Sequence, residues 1–203
     1  MTTSEIDEEG VREQSLKSAI DLALRQALPY AEYDREGLRE TPDRWAKAFQ
    51  HWTSGYYQRP EDLLKTFEDG AAGCDELIFQ RSIPVWSLCE HHLAPFFGVA
   101  HVGYIPDGRI VGLSKLARVV DVFAKRLQVQ ERLTNQVAEL LTSTLAPLGV
   151  GVILECRHSC MESRGIQRAG VVTVTSSLSG VFRTDPSARA EFLGLARGLG
   201  TNP

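Results

Sequence analysis

From about Val11, apolar residues recur at Leu16, Ile20, Ala23, Leu24 and Ala27, a three-and-four spacing that predicts an amphipathic helix ending near Pro29. Residues 1–12 are polar and read as a mobile lead-in. Thr41-Pro42 predicts a second helix start, with the threonine capping free amides and proline at the first helical position. Trp45, Phe49 and Trp52 then fall on one face of that helix, and Arg44, Lys47 and His51 on another. Residues 76–87 and 94–105 read as strands, with Pro106-Asp107-Gly108 as a turn. Gly112 and Ser114 open a helix whose stripe is Leu116, Val120, Phe123 and Leu127, and another helix runs from near Glu131 through Val137, Leu141 and Leu145 to Pro147. Residues 150–159 and 171–182 read as strands, and 186–197 as a last short helix. The order predicts an α+β domain behind a helical N-terminal part, with the boundary between 1–70 and 71–203.

Composition adds exclusions. Of the 203 residues 43% are hydrophobic and 24% charged, enough to build a sizeable core. The net charge of -4 argues against a general nucleic-acid binder, whose affinity for phosphate needs a basic surface. The start Met1-Thr2-Thr3-Ser4-Glu5-Ile6-Asp7 is acidic rather than a signal peptide, and no apolar run is long enough for a bilayer. A cytoplasmic protein is therefore expected, in which Cys74, Cys89, Cys156 and Cys160 are ligands, nucleophiles or buried thiols rather than disulfide partners.

The chemistry concentrates in two places. Cys89-Glu90-His91-His92 follows one predicted strand, and His158-Ser159-Cys160 ends another. Zinc favours thiolate sulfur and imidazole nitrogen. Cys89 and His92, three apart, face the same way on a helical turn, and Cys160 is the best remaining thiol for a third ligand. Cys156 is left out, because four residues of strand span roughly 13 Å, whereas two sulfurs on one zinc lie within about 4.6 Å. Three ligands and one open position make a catalytic arrangement; a closed structural site or plain buried thiols are the bland alternatives. A zinc deaminase is disfavoured, since its His-x-Glu and Pro-Cys-x-x-Cys signatures are missing from the sequence.

A second set is basic. Lys115 and Arg118 lie one turn apart beside Ser114, Arg44 and Lys47 repeat the pattern, and Arg164 follows Cys160. Converging, these five cations form a polyphosphate clamp; singly, each is a solvated charge. Glu131, next to Gln130, either complements its helix dipole or accepts hydrogen bonds from a guanine, and spacing leaves both open.

Four ordered segments carry a resemblance to type I GTP cyclohydrolases: 87–93 (SLCEHHL), 112–118 (GLSKLAR), 128–134 (QVQERLT) and 158–165 (HSCMESRG). Thr41-Pro42-Asp43-Arg44, Gly180-Val181-Phe182 and Glu191-Phe192-Leu193 are also similar, and the match covers roughly 15–197. The resemblance implies a tunnelling fold: an antiparallel sheet with two helices packed on one side, preceded by N-terminal helices, its strands pooled into an oligomeric barrel. It implies a homodecamer with active sites between subunits, no nucleic-acid or membrane partner, and Zn2+ held by Cys89, His92 and Cys160. His91 and His158 are implied in proton transfer, and Glu131 with Gln130 at the guanine edge. Arg44, Lys47, Lys115, Arg118 and Arg164 would face the triphosphate, with Ser114 lining the pocket. The implied reaction is hydrolysis of GTP at C8, with loss of formate and rearrangement to 7,8-dihydroneopterin triphosphate, the first step of folate and pterin synthesis. A related pterin or deazapurine enzyme, or a non-catalytic purine binder, is the alternative. Two positions depart from the pattern: Ser163 stands where the family more often has methionine, and Cys156 where small residues are usual.

Overall fold

The computed structural model describes residues 3–68 and 73–198, with the backbone alone for 3–9 and Phe67. The expected boundary at 70/71 lies outside the described residues. The chain divides into two compact units, Met1–Thr53 and Ser54–Pro203.

In the first unit α1 spans Thr3–Ala27, α2 Tyr30–Tyr33 and α3 Thr41–Trp52. α1 starts at Thr3 rather than near Val11, so the polar lead-in is mostly helical; of that segment residues 1 and 2 lie outside the described residues. It ends just before Pro29, whose ring disfavours helical backbone at the preceding residue. Lys17 of α1 reaches Asp43 of α3 at 2.5 Å, and Tyr33 donates to Asp21. Trp45 and Phe49 stack at 4.7 Å on one face of α3, while Trp52 is exposed. Thr41 is not the cap: Glu40 holds that position and makes no side-chain cap bond, so Thr41 is the first helical residue and Pro42 the second.

The second unit is built on a five-stranded sheet in the order β5-β2-β3-β6-β7, from β2 (Ile78–Cys89), β3 (Pro95–Ile105), β5 (Leu127–Gln128), β6 (Gly149–His158) and β7 (Thr173–Leu178). All pairs are antiparallel except β2 with β5, which meet in parallel at Leu88↔Leu127 and Cys89↔Gln128. A separate two-stranded pair joins β1 (Thr66–Phe67) to β4 (Ile110–Val111). Period-two alternation in β2 buries Ile83, Val85 and Ser87 and exposes Pro84 and Trp86. That alternation is reset by a bulge between Gln80 and Ile83, where Ser82 takes φ +60.

α4 (Leu113–Ala124) and α5 (Gln130–Leu145) supply Leu116, Val120, Leu133, Val137 and Leu141 to the main core, which they share with Val85, Phe96, Val152 and Leu154 of the sheet. A smaller core gathers Phe182 of α7 (Val181–Thr184) and Phe192 of α8 (Pro186–Ala196) against Ile153, whose side chain alternates away from Val152 and Leu154. Leu127 belongs to β5 rather than to the α4 stripe, because the helix stops at its C-cap Lys125. The last strand ends at Leu178, not near 182. Gly180 sits at φ +55 with no room for a side chain, since a Cβ there would lie 2.0 Å from the Leu148 carbonyl oxygen. The mixed α+β architecture with a largely antiparallel sheet follows the sequence expectation. Among the described residues no helix is long and apolar enough to cross a membrane.

Candidate active site

β2 delivers Cys89 to the end of the sheet and the chain turns at once. The amides of His92 and Leu93 donate to the Cys89 carbonyl at 3.2 and 2.9 Å, and the Cys89 amide donates to the Ala94 carbonyl at 2.9 Å. Leu93 closes the turn at φ +51. This tight return sets His92 Nδ1 3.5 Å from Cys89 Sγ. The third member arrives from β6: His158 is its last residue, and Cys160 lies in the following turn α6 (Ser159–Glu162), tied down by the Ser159 hydroxyl donating to the Pro95 carbonyl. One ligand atom each from Cys89, His92 and Cys160 lies within 4.8 Å of the others. Sulfur at about 2.3 Å and nitrogen at about 2.0 Å from one tetrahedral zinc stand about 3.5 Å apart, so the donor set fits that ion.

The electrostatics agree. Burial lowers the His92 pKa, with Arg164 and His91 adding to the effect, and this favours the neutral imidazole that metals bind. Burial and the neighbouring Cys89 push the Cys160 thiol up; a bound divalent cation reverses that preference by favouring thiolates. Cys156, by contrast, is wholly buried in the main core, its thiol pushed up to about 12 by burial. It is an inert packing residue, in line with its omission from the ligand set. Ser163, the other departure, donates to the Ser159 carbonyl at 2.7 Å and closes α6.

His158 lies beside this triad, its ring stacked on Phe96 at 4.7 Å and 10°. Burial lowers its pKa, while the charge of Glu131 works in the opposite direction. Its Nε2 is 2.8 Å from Gln130 Oε1. The Gln130 amide nitrogen meanwhile donates to the carbonyls of Leu154 and Thr173 at 3.1 and 2.9 Å and to the Thr175 hydroxyl at 3.1 Å. Gln130 is thus 1% exposed and engaged inside the chain. The first residue of α5 turns inward, whereas its neighbour Glu131 is exposed. His91 is largely exposed, with Nδ1 3.9 Å from Cys89 Sγ.

Among the expected cations, Arg164 acts electrostatically on both His92 and Cys160, which places it near the triad. Its loop is held by Glu162, which accepts two 2.7 Å bonds from Arg157 and one from the Gly170 amide. Ser114, Lys115 and Arg118 occupy the first turns of α4, with no hydrogen bond or ion pair to the triad among the described residues. Arg44 and Lys47 belong to the first unit, where Arg44 is paired with Glu40. Sequence reasoning missed Phe96, and it missed a polar strut in which Gln128 holds Arg132 at 3.0 Å and Arg132 pairs with Glu90 of the metal turn. The Phe96-Phe97 pair, with only one ring facing inward by strand alternation, was the one available signal.

A family model described as GTP cyclohydrolase I matches residues 21–197. The GTP cyclohydrolase 1 of Janthinobacterium sp. (strain Marseille) is 64% identical over 164 residues, 81% of this chain and 83% of the relative. That of Nitrosospira multiformis is 63% identical over 162 residues, 80% of this chain and 85% of the relative. A solved structure of the archaeosine synthase QueF-Like in the apo form aligns at TM-score 0.41 and 21% identity, covering 51% of this chain and 93% of that one.

Proposed function

The chain belongs to the GTP cyclohydrolase I family, and we propose that it opens the imidazole ring of GTP at C8, releases that carbon as formate and yields 7,8-dihydroneopterin triphosphate. The observation that carries this reading is the convergence of Cys89, His92 and Cys160 beside the stacked, Gln130-bound His158. Zinc held by that triad supplies the polarisation that makes water nucleophilic at neutral pH.

The chain's own residues do the rest. Glu131, exposed at the start of α5, accepts hydrogen bonds from the guanine N1–H and 2-amino group. A histidine of the His91/His158 pair gives a proton to N7, which makes C8 more electrophilic. Water adds at C8, the C8–N9 bond breaks, and a second hydrolysis frees formate. Arg164, Lys115 and Arg118 take the triphosphate, with Ser114 at the pocket wall; the field of Arg164 at His92 supports the first of these. A tunnelling-fold decamer in a reducing cytoplasm completes the reading. The exposed Trp86 and Val174 on the sheet support association, and four free thiols support the compartment.

The test mixes purified protein of known zinc content with GTP, then follows formate and pterin fluorescence after oxidation. Both products are expected. Protein with a full complement of zinc that leaves the nucleotide's imidazole ring intact overturns the reading.

A further inference from the structure

We propose that Gln130 is a positioning residue which fixes the tautomer of His158, placing the ring proton on Nε2 and the basic lone pair on Nδ1. The inference rests on the proposed role of His158 in proton transfer and deepens it by naming the nitrogen that carries it out.

The carbonyls of Leu154 and Thr173 can only accept hydrogen bonds, and both face one end of the Gln130 side chain. That end must be the NH2. A flipped amide would set its own oxygen against two carbonyl oxygens in a buried site. A chain of hydroxyls reinforces the orientation: Thr134 spends its proton on the Gln130 main-chain carbonyl at 2.8 Å, so it accepts from Thr175 at 2.7 Å, and Thr175 in turn accepts from the Gln130 side-chain nitrogen. The other end is therefore the carbonyl Oε1, which can only accept. It lies 2.8 Å from His158 Nε2, so Nε2 must donate.

In the neutral ring a proton on Nε2 leaves Nδ1 unprotonated on the opposite edge, with no protein partner among the described residues. Phe96, stacked 10° from parallel, stops the ring from turning to exchange the two nitrogens. The buried amide thus holds the imidazole with one defined nitrogen free to take and return a proton. The same commitment removes the Gln130 side chain from contact with the base, which Glu131 then recognises without it.

Nitrogen-15 solid-state NMR of histidine-labelled, zinc-loaded protein reads the tautomer directly, with His158 signals identified by their loss in His158→Asn. At about pH 8.5, two units above the ordinary histidine value of about 6.5, a protonated Nε2 and a bare Nδ1 are expected. A proton on Nδ1, alone or on both nitrogens, overturns the proposal. In Gln130→Met, kcat should fall by about 10- to 100-fold while the KM for GTP and the zinc content stay within about twofold. A raised KM with unchanged kcat would return Gln130 to the guanine edge and overturn the proposal. Should Gln130→Met fail to fold, the NMR measurement on the unaltered chain still decides. Absence of formate from the unaltered enzyme would instead sink the proposed activity, leaving the tautomer readout to be judged by itself.

Discussion

Gly98→Ala tests whether the sheet sets the site. Gly98 pairs with Cys156 across β3 and β6, two positions from the Phe96↔His158 pair. A Cβ built there lies 1.9 Å from the Glu155 carbonyl oxygen and 2.7 Å from the Cys156 Cα, both rigid backbone atoms in mid-sheet. Reaching even the tight limit of 3.0 Å requires the two strands to part by more than 1 Å. Overpacking of that kind costs about 1–3 kcal/mol, and a weakened ladder bond adds about 1 kcal/mol. The melting temperature should fall by about 10 °C, taking about 2–4 °C per kcal/mol for a chain of this size. Turnover should drop with it, since Phe96 shifts under His158. Gly194 within α8 is the control: a Cβ there meets nothing within 4 Å, and Gly194→Ala should be neutral or stabilising by up to about 1 kcal/mol. A Gly98→Ala protein melting within a degree or two of the parent would refute the argument that close strand approach holds this position.

Three further outcomes concern the site and a fourth the buried His101. Cys160→Ser should lose zinc and activity together, and metal retained at full stoichiometry would remove Cys160 from the ligand set. Glu131→Ala should weaken GTP binding by about tenfold or more with zinc unaffected; unchanged affinity in a direct binding titration would dismiss it as the base anchor. His158→Ala should keep fold and metal but slow turnover by roughly 10²- to 10⁴-fold, so undiminished steady-state rates would make it a packing residue. His101 is buried in β3 with its pKa lowered chiefly by burial and also by Arg81, against the opposing pull of Glu155. Because it is harder to protonate folded than unfolded, its contribution is complete above about pH 6.5 and lost as pH falls below that value. Denaturant midpoints between about pH 7.5 and 5.5 should show the loss, and an equal loss in His101→Asn would exonerate this ring.

What the sequence made legible was local. Cys89 and His92 are three residues apart, so one turn brings them together whatever the rest of the chain does. Cys160 followed from residue type alone, and the exclusion of Cys156 followed from strand geometry. Gln130 was illegible because its partners Leu154, Thr173 and Thr175 lie 24 to 45 residues downstream, on strands whose register no local pattern reveals. Its neighbour Glu131 is exposed while Gln130 is buried, a distinction made by the orientation of α5 and not by composition. Leu127 continued the α4 periodicity on paper, yet the helix stops first and the residue is captured by the edge of β2. The proposed triphosphate cations were readable as cations only, since spacing along the chain does not tell whether separate segments converge.

The triad also joins parts of the chain that are remote in sequence. Cys89 closes β2 and Cys160 follows β6, so an ion shared by the triad would tie off a loop of roughly 70 residues that includes both long helices of the unit. By analogy with a covalent cross-link, restricting the denatured chain over such a loop contributes about 4 kcal/mol at room temperature. Chelation should then lower resistance to heat and proteolysis as well as catalysis, and the same ion would serve as reagent and as fastener.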